Sequence, residues 1–348
     1  MARNLVVAAL IVFVLTNTAK AQYGGPIIDA HSQFGCEISA SKIRQAIYSG
    51  GVAHTLLSAR GCHGEDALES HRRALKLVQS LQDRASFLIS TKLVGMGKTG
   101  AEFGKRGLSE LTRANKKFSD QSVGFAEILV QHAPHDTNQL RYDGISLDLK
   151  SDRIVGAIDL AIDRQVPVIL HLELDDYEKH AAKILDQLHR LLSQNPGRDF
   201  VLIHLAQATP SEAENLIEKH ENIHFMTTSA DAFTSIAVVQ TRRGKRKSQV
   251  GWANLFSDPP KAAPYKGWLA DYLPTMRWDD DWKRLIETHP ERFVFAIENV
   301  FGQHWTKRYL PNLKLWRKAF SLLPRDAARM VACANAKRLW KLEVACGV

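Results

Sequence analysis

Eight short apolar runs recur down this sequence, each rich in β-branched or aromatic residues and each followed by a longer segment with helical spacing. In order they read PIIDAH from Pro26, AHTLLSA from Ala53, SFLISTKL from Ser86, SVGFAEILV from Ser122, VPVILHLEL from Val166, FVLIHLA from Phe200, IHFMTTS from Ile223 and RFVFAIEN from Arg292. Their apolar character is continuous rather than alternating, which marks strands buried on both faces, as in a parallel sheet. Between them, Asp148 precedes an amphipathic stretch over residues 151–165, and another over 177–194 ends at Asn195-Pro196-Gly197, the expected start and stop chemistry of helices. Eight strand–helix units predict an α/β chain folded as a (β/α)8 TIM barrel. A doubly wound open sheet is the competing arrangement, but no GxGxxG follows the first strand.

Two stretches break the alternation. One spans residues 131–147. The other, about 230–290 between strands seven and eight, carries Trp252, Trp268, Trp278 and Trp282 and is expected to be a folded insertion or lid over one barrel end. The 348 residues then fit one barrel, residues 22–348, plus this insertion. Residues 1–21 have Arg3, an apolar run over residues 5–15 and a close at Ala19-Lys20-Ala21, the three parts of a secretory signal. The run is shorter than the roughly 20 residues a membrane span needs. The chain is therefore expected to be exported, to a bacterial periplasm or outside the cell, with no transmembrane segment once the signal is cleaved. In such a compartment its four cysteines can pair. Cys36 and Cys62 follow neighbouring strands and are expected to form a disulfide; Cys333 and Cys346 would tie the tail to the last helix.

Polar groups gather at the strand ends, where a barrel places its chemistry. The first strand ends Asp29-Ala30-His31-Ser32-Gln33, the second reaches Arg60, the third Lys92 and the fourth Glu127. The fifth ends at His171 with Glu173 beyond it, the sixth at His204, the seventh at Thr228-Ser229 and the eighth at Glu298-Asn299. Three histidines on different strands with a carboxylate on the last suit a zinc-class dication that keeps a position open for water. That water would be acidified and turned on a polarised carbon.

With these residues in order, the chain resembles the amidohydrolase superfamily, and within it the amidohydrolase-related group of metal-dependent hydrolases. PIIDAHSQ is similar to that family's first-strand "IDxHxH", VPVILH to its "PvxxH", VLIHLAQ to "xxxHlG", RFVFAIEN to "RxxfGxD" and CANAKRLWKL to its closing "xxNAxRLy" helix. The resemblance implies a (β/α)8 barrel with a divalent metal, usually zinc, at the mouth. It also implies His31 and His171 as metal ligands and Glu298 as ligand, general base or both. His204 would hold a second metal or polarise a substrate carbonyl, and Glu127 would take a bridging position. Two positions depart from the pattern: Gln33 stands in place of the second histidine, offering only a carbonyl oxygen as a ligand, and Glu298 is one methylene longer than the family's aspartate.

Other residues carry weaker signals. Arg60 is a candidate to grip a substrate carboxylate, against the alternative of a solvated loop arginine. His132 and His135 read as a surface loop that could line the mouth, and Asn335 as a structural residue at the barrel base. The sequence GMGKTG (residues 95–100) lacks the spacing of a phosphate loop. The formal charge of +9 shrinks on inspection, because Arg3 and Lys20 leave with the signal and five more positive charges lie within residues 241–247. No nucleic-acid partner is expected. The functional expectation is an exported metal-dependent hydrolase acting on a C–N or C–O bond of a small molecule, with an oligomer left open. The alternatives are decarboxylase or lactonase chemistry in the same family, or a barrel that has lost catalysis and binds a ligand.

Overall fold

The computed structural model describes residues 22–62, 65–91, 105–132, 135–136, 141–142, 145–174, 178–228, 256–257, 273–274 and 276–347. Strands one to four, Ile28–Phe34, His54–Ala59, Ala85–Ile89 and Ser122–Phe125, pair in parallel in that order. The fourth run breaks after Phe125 and resumes as Ile128–Leu129, which starts a second parallel sheet. That sheet continues through Val168–His171, Phe200–Leu202, Ile223–Met226 and Phe293–Val294, the fifth to eighth strands. Glu127 sits at the break.

The first strand closes the ring against the segment that follows the eighth. Ala30 N–H donates to the Phe295 carbonyl (3.1 Å), Glu298 N–H to that of His31 (2.8 Å) and Gln33 N–H to that of Asn299 (2.8 Å). Side chains lock the seam: Asp29 accepts from Ile297 N–H at 2.8 Å and from the Ser32 hydroxyl at 2.6 Å, and Ser32 Oγ accepts from the Asn299 backbone and amide, both at 3.1 Å. Burial drives the Asp29 pKa up to about 6, against the pull of these donors. The barrel expected from the sequence is therefore present.

Each strand is followed by a helix: Ala40–Gly50, Ala67–Leu81, Lys105–Phe118, Asp152–Asp163, Glu178–Gln194, Pro210–Lys219, Asp280–Thr288 and Tyr309–Ser321. Their starts follow from the sequence. Thr209 and Glu212 make a reciprocal capping box with Pro210 in the first turn, while Asp66 and Asp279 accept N–H bonds from the turns they precede. Alternate strand residues divide the core. Phe87, Leu170, Phe200, Phe225 and Phe293 pack outward on the helices, while Leu56, Leu88, Ile169, Val201 and Met226 fill the barrel. The inner set is continuous with Cys333, Ala336, Leu339, Trp340, Leu342 and Cys346, so the C-terminal segment plugs the barrel from below. Asn335 fastens the plug by donating to the carbonyls of Pro290 (2.7 Å) and Phe293 (2.8 Å), the structural role expected of it.

The stretch over 131–147 forms two short antiparallel pairs, Gln131–His132 with Ile145–Ser146 and His135–Asp136 with Arg141–Tyr142. The insertion expected over 230–290 is shorter at its C-terminal side. Asp280–Thr288 is the seventh barrel helix, tied to the sixth by a bidentate Arg284–Glu214 pair at 2.6 and 3.0 Å. Trp278 and Trp282 are buried, with Trp278 Nε1 donating to the Ala319 carbonyl, and Arg277–Trp278 pairs antiparallel with Phe256–Ser257 of the expected insertion. Trp252, Trp268, the signal-like segment, the GMGKTG stretch and the basic run over 241–247 lie outside the described residues. Among those described, no helix is long and apolar enough to cross a membrane.

Candidate active site at the barrel mouth

The strand ends bring the predicted residues together as an alternating chain of carboxylates and imidazoles. Glu173 Oε1 lies 2.9 Å from His171 Nε2, and His171 Nδ1 lies 2.7 Å from Glu127 Oε2. The other oxygen of Glu127 faces His31 Nε2 at 3.6 Å, and His31 Nε2 faces Glu298 Oε1 at 4.0 Å. Glu298 Oε2 then meets His204 Nε2 at 3.2 Å. At the far end His204 Nδ1 meets the Thr228 hydroxyl at 2.9 Å, while that hydroxyl accepts from the His204 N–H at 2.6 Å. His31, Glu127 and His171 are at most 1% exposed, and Glu298 is 5% exposed.

Local backbone features set this arrangement. Strict alternation would put Ala30 and His31 on opposite faces of the first strand. Pairing with the second strand shifts register between Asp29 and Ser32, so Ala30 joins the inner apolar set while His31 still reaches the carboxylates. Glu127 occupies the break in the fourth strand, and its carbonyl accepts from the Thr91 hydroxyl. His171 and Glu173 share a face because they are two residues apart in extended backbone. The sixth strand ends at Leu202, and His204–Gln207 then turn left-handed, with φ between 51° and 55°. Glu298 also has φ of 60°. Non-glycine residues in this region carry strain on the order of 1 kcal/mol each, which recurs where a fold holds functional groups in place.

The environment sorts the imidazoles. Burial works against a charged His171, but Glu127 and Glu173 on its two nitrogens outweigh it and raise the pKa to about 9. Burial lowers the pKa of His204 in spite of Glu298. His304, in the loop after the eighth strand, is driven to about 4 by burial. Its Nδ1 accepts from the N–H groups of Val300 (3.1 Å) and Phe301 (3.4 Å). Neither ring nitrogen of His31 has a hydrogen-bond partner among the described residues. A buried imidazole so placed, with oxygens of Glu127 and Glu298 within 4.8 Å, suits a cation of the zinc class.

Other expectations fare differently. Gln33 is buried, with its backbone tied to Asn299 and to Trp305 Nε1 (3.0 Å). His171 Nε2 points to Glu173, and the residue groups with His132 and Glu173, while His31 groups with Glu127 and Glu298. Arg60 reaches the Val300 carbonyl (2.9 Å) and Glu37 (3.4 Å) and stacks 3.9 Å over the Phe301 ring, so it braces the loop after the eighth strand. Glu127 pairs with histidines and not with Arg60, while Lys92 lies outside the described residues. His132, expected on a surface loop, instead stacks on His171 with ring centroids 4.6 Å apart. The side chain of His135 and all of Ser229 lie outside the described residues. Glu173 was legible from its parity with His171, whereas His132 and His304 carried no signal beyond being histidines near strand ends. Cys36 and Cys62 are disulfide-bonded with Cα atoms 5.9 Å apart, joining the loops after the first two strands; Cys333 and Cys346 are bonded at 5.6 Å.

Solved structures share this architecture. A probable 2-pyrone-4,6-dicarboxylic acid hydrolase from Acinetobacter baumannii with citric acid bound is similar at a TM-score of 0.50 and 11% identity, over 90% of this chain and 99% of that one. An uncharacterised TIM-barrel protein from Bordetella bronchiseptica matches at 0.52 and 11% identity, over 91% and 99%. An amidohydrolase from Burkholderia multivorans with bound HEPES matches at 0.51 and 10% identity, over 91% and 99%. At such identities the likeness is one of fold. No family model and no curated protein matches the sequence.

Proposed function

We propose that this chain is an exported, metal-dependent hydrolase of the amidohydrolase kind, which cleaves a C–N or C–O bond in a small molecule. The observation that carries the reading is the mouth itself: His31, Glu127 and Glu298 converge from the first, fourth and eighth strands with their ligand atoms within 4.8 Å of one another. Of the proteins sharing the fold, one is described as a dicarboxylic acid hydrolase and another as an amidohydrolase. Two disulfide-bonded cysteine pairs and the signal-like first residues support export to an oxidising compartment.

His31, Glu127 and Glu298 would hold a zinc-class ion, which would supply a Lewis acid and an acidified water. The chain's own groups move the proton. Glu298 would accept a proton at a carboxylate oxygen, and His204 Nε2, 3.2 Å from Oε2, would pass a proton to the leaving group. Thr228 fixes the ring of His204 from behind. His304 stays neutral near pH 7 and adds no charge beside Glu298. The reading is tested by measuring metal in protein purified without chelator, and turnover of a panel of lactones and cyclic amides before and after adding Zn²⁺ or Mn²⁺. Bound metal with metal-dependent turnover is expected. Metal-free protein that gains no activity on reloading would sink the hydrolase and leave a ligand-binding barrel.

A further inference from the structure

The two disulfides of this chain stand in opposite surroundings. Cys333 and Cys346 are buried in the plug beneath the barrel, 0% and 8% exposed. Cys36 is exposed and Cys62 half-buried, on the loops after the first and second strands, so a dissolved thiol can reach the sulfur of Cys36. On the other side of the bond, Arg73 from the helix Ala67–Leu81 sets its Nη2 3.2 Å from Cys62 Sγ. Glu65 accepts from that guanidinium at 3.1 Å from Nε and 2.9 Å from Nη2, which fixes its position and offsets part of its charge. Arg73 Nη2 also lies 2.9 Å from the Arg60 carbonyl, and the Arg60 side chain reaches Glu37 and Val300. The bond therefore shares one frame with the loop after the eighth strand.

A disulfide opens when a thiolate attacks one sulfur and the other leaves, and it opens faster the better its leaving thiolate is stabilised. A neighbouring arginine supplies that stabilisation, because it stays charged and favours the thiolate over the thiol. Exposure at one sulfur and a cation at the other give the bond a direction. We propose that Cys36–Cys62 is a thiol–disulfide exchange site, attacked at Cys36 by a dithiol, with Cys62 leaving as a thiolate beside Arg73. One sulfur of the dithiol bonds Cys36 Sγ as the Cys36–Cys62 bond breaks, and the electron pair of that bond passes to Cys62. The second sulfur then displaces Cys36, so the dithiol is oxidised to its own disulfide and the protein gains two electrons. Of the dithiol's two protons, one goes to Cys36 and one to solvent. Opening unties Glu37 from the second loop and loosens its hold on Arg60, which braces the loop that follows Glu298. None of this depends on a bound metal or on turnover.

The test compares the two bridges within one molecule. The full chain is equilibrated at neutral pH with graded ratios of reduced to oxidised dithiothreitol, quenched in acid, alkylated and mapped by mass spectrometry. Cys36–Cys62 is expected to open at a ratio roughly tenfold or more below the one that opens Cys333–Cys346. Brief exposure to glutathione should leave its adduct on Cys36 and Cys62 free to be alkylated. Arg73→Met should slow the opening by about tenfold, while Arg73→Lys keeps a cation there and should slow it less. Amide hydrogen exchange over residues 299–304 should quicken in the opened protein and return on reoxidation. Both bridges opening at one ratio, or an adduct on Cys62, overturns the exchange site. Unchanged amide exchange over 299–304 overturns its reach to the mouth. Should Arg73→Met fail to fold, the wild-type ratio and the position of the adduct still decide.

Discussion

The two ends of the barrel are built on opposite terms. At the mouth, buried carboxylates and imidazoles alternate, and His204–Gln207 and Glu298 are held at positive φ. At the base, Leu339, Trp340 and Leu342 fill the barrel from below and the Cys333–Cys346 disulfide ties the tail back onto the plug. The mouth assembles groups that each cost free energy to bury or strain, and the base supplies apolar burial at about 1.5–3 kcal/mol per large side chain. Buried titratable groups are concentrated at one end of the strands and apolar packing at the other, the division that barrels allow because loops and core are set independently.

Substitutions at each end should separate the two. The largest effect is expected at the mouth: Glu298→Ala should lower kcat by about 10³- to 10⁴-fold, which corresponds to roughly 4–5 kcal/mol of barrier, while a urea titration shows stability unchanged or raised. A parallel fall in stability would mean that Glu298 is a structural residue. At the base the pattern reverses. Trp340→Ala should cost about 3–5 kcal/mol of stability by the same titration, with metal content per folded chain retained.

Acid probes the boundary between mouth and helix layer. The folded pKa of His304 lies near 4, below the ordinary value of 6.5, so the unfolded chain binds the extra proton between those values. Stability should therefore fall as pH drops from about 6.5 to 4, by about 2–3 kcal/mol from this group. His304→Asn keeps an acceptor for the Val300 N–H and should flatten that slope, read from urea midpoints at pH 7.5, 5.5 and 4.5. Burial lowers His71 and His224 in the same direction, so part of the acid sensitivity will survive. The smallest effect is expected from Ala206→Gly, where φ is 55°: relief of left-handed strain against greater chain entropy should leave a gain of up to about 1 kcal/mol, seen as a rise in Tm.

Much of this was written in the local chain. Continuous apolar runs and capping residues specify the eight strand–helix units, and strand parity puts His171 and Glu173 on one face. What the sequence concealed depends on features without a local period. The register shift between Asp29 and Ser32 turns His31 toward the carboxylates. The break at Glu127 lets one carboxylate face two histidines. The left-handed turn after Leu202 contains no glycine to announce it, and His132 reaches the mouth through a β-pair whose length sets its position.

The seam between the first strand and the segment after the eighth joins Ser32 to Asn299 across 267 residues. Contacts of such separation carry a large loop-closure cost and slow folding. The first strand, which carries His31, and the segment after the eighth, which carries Glu298, meet only when nearly the whole chain has been made. A growing or clipped chain that lacks the last strand cannot bring His31, Glu127 and Glu298 together. Completeness of the polypeptide and assembly of that cluster are thus one event.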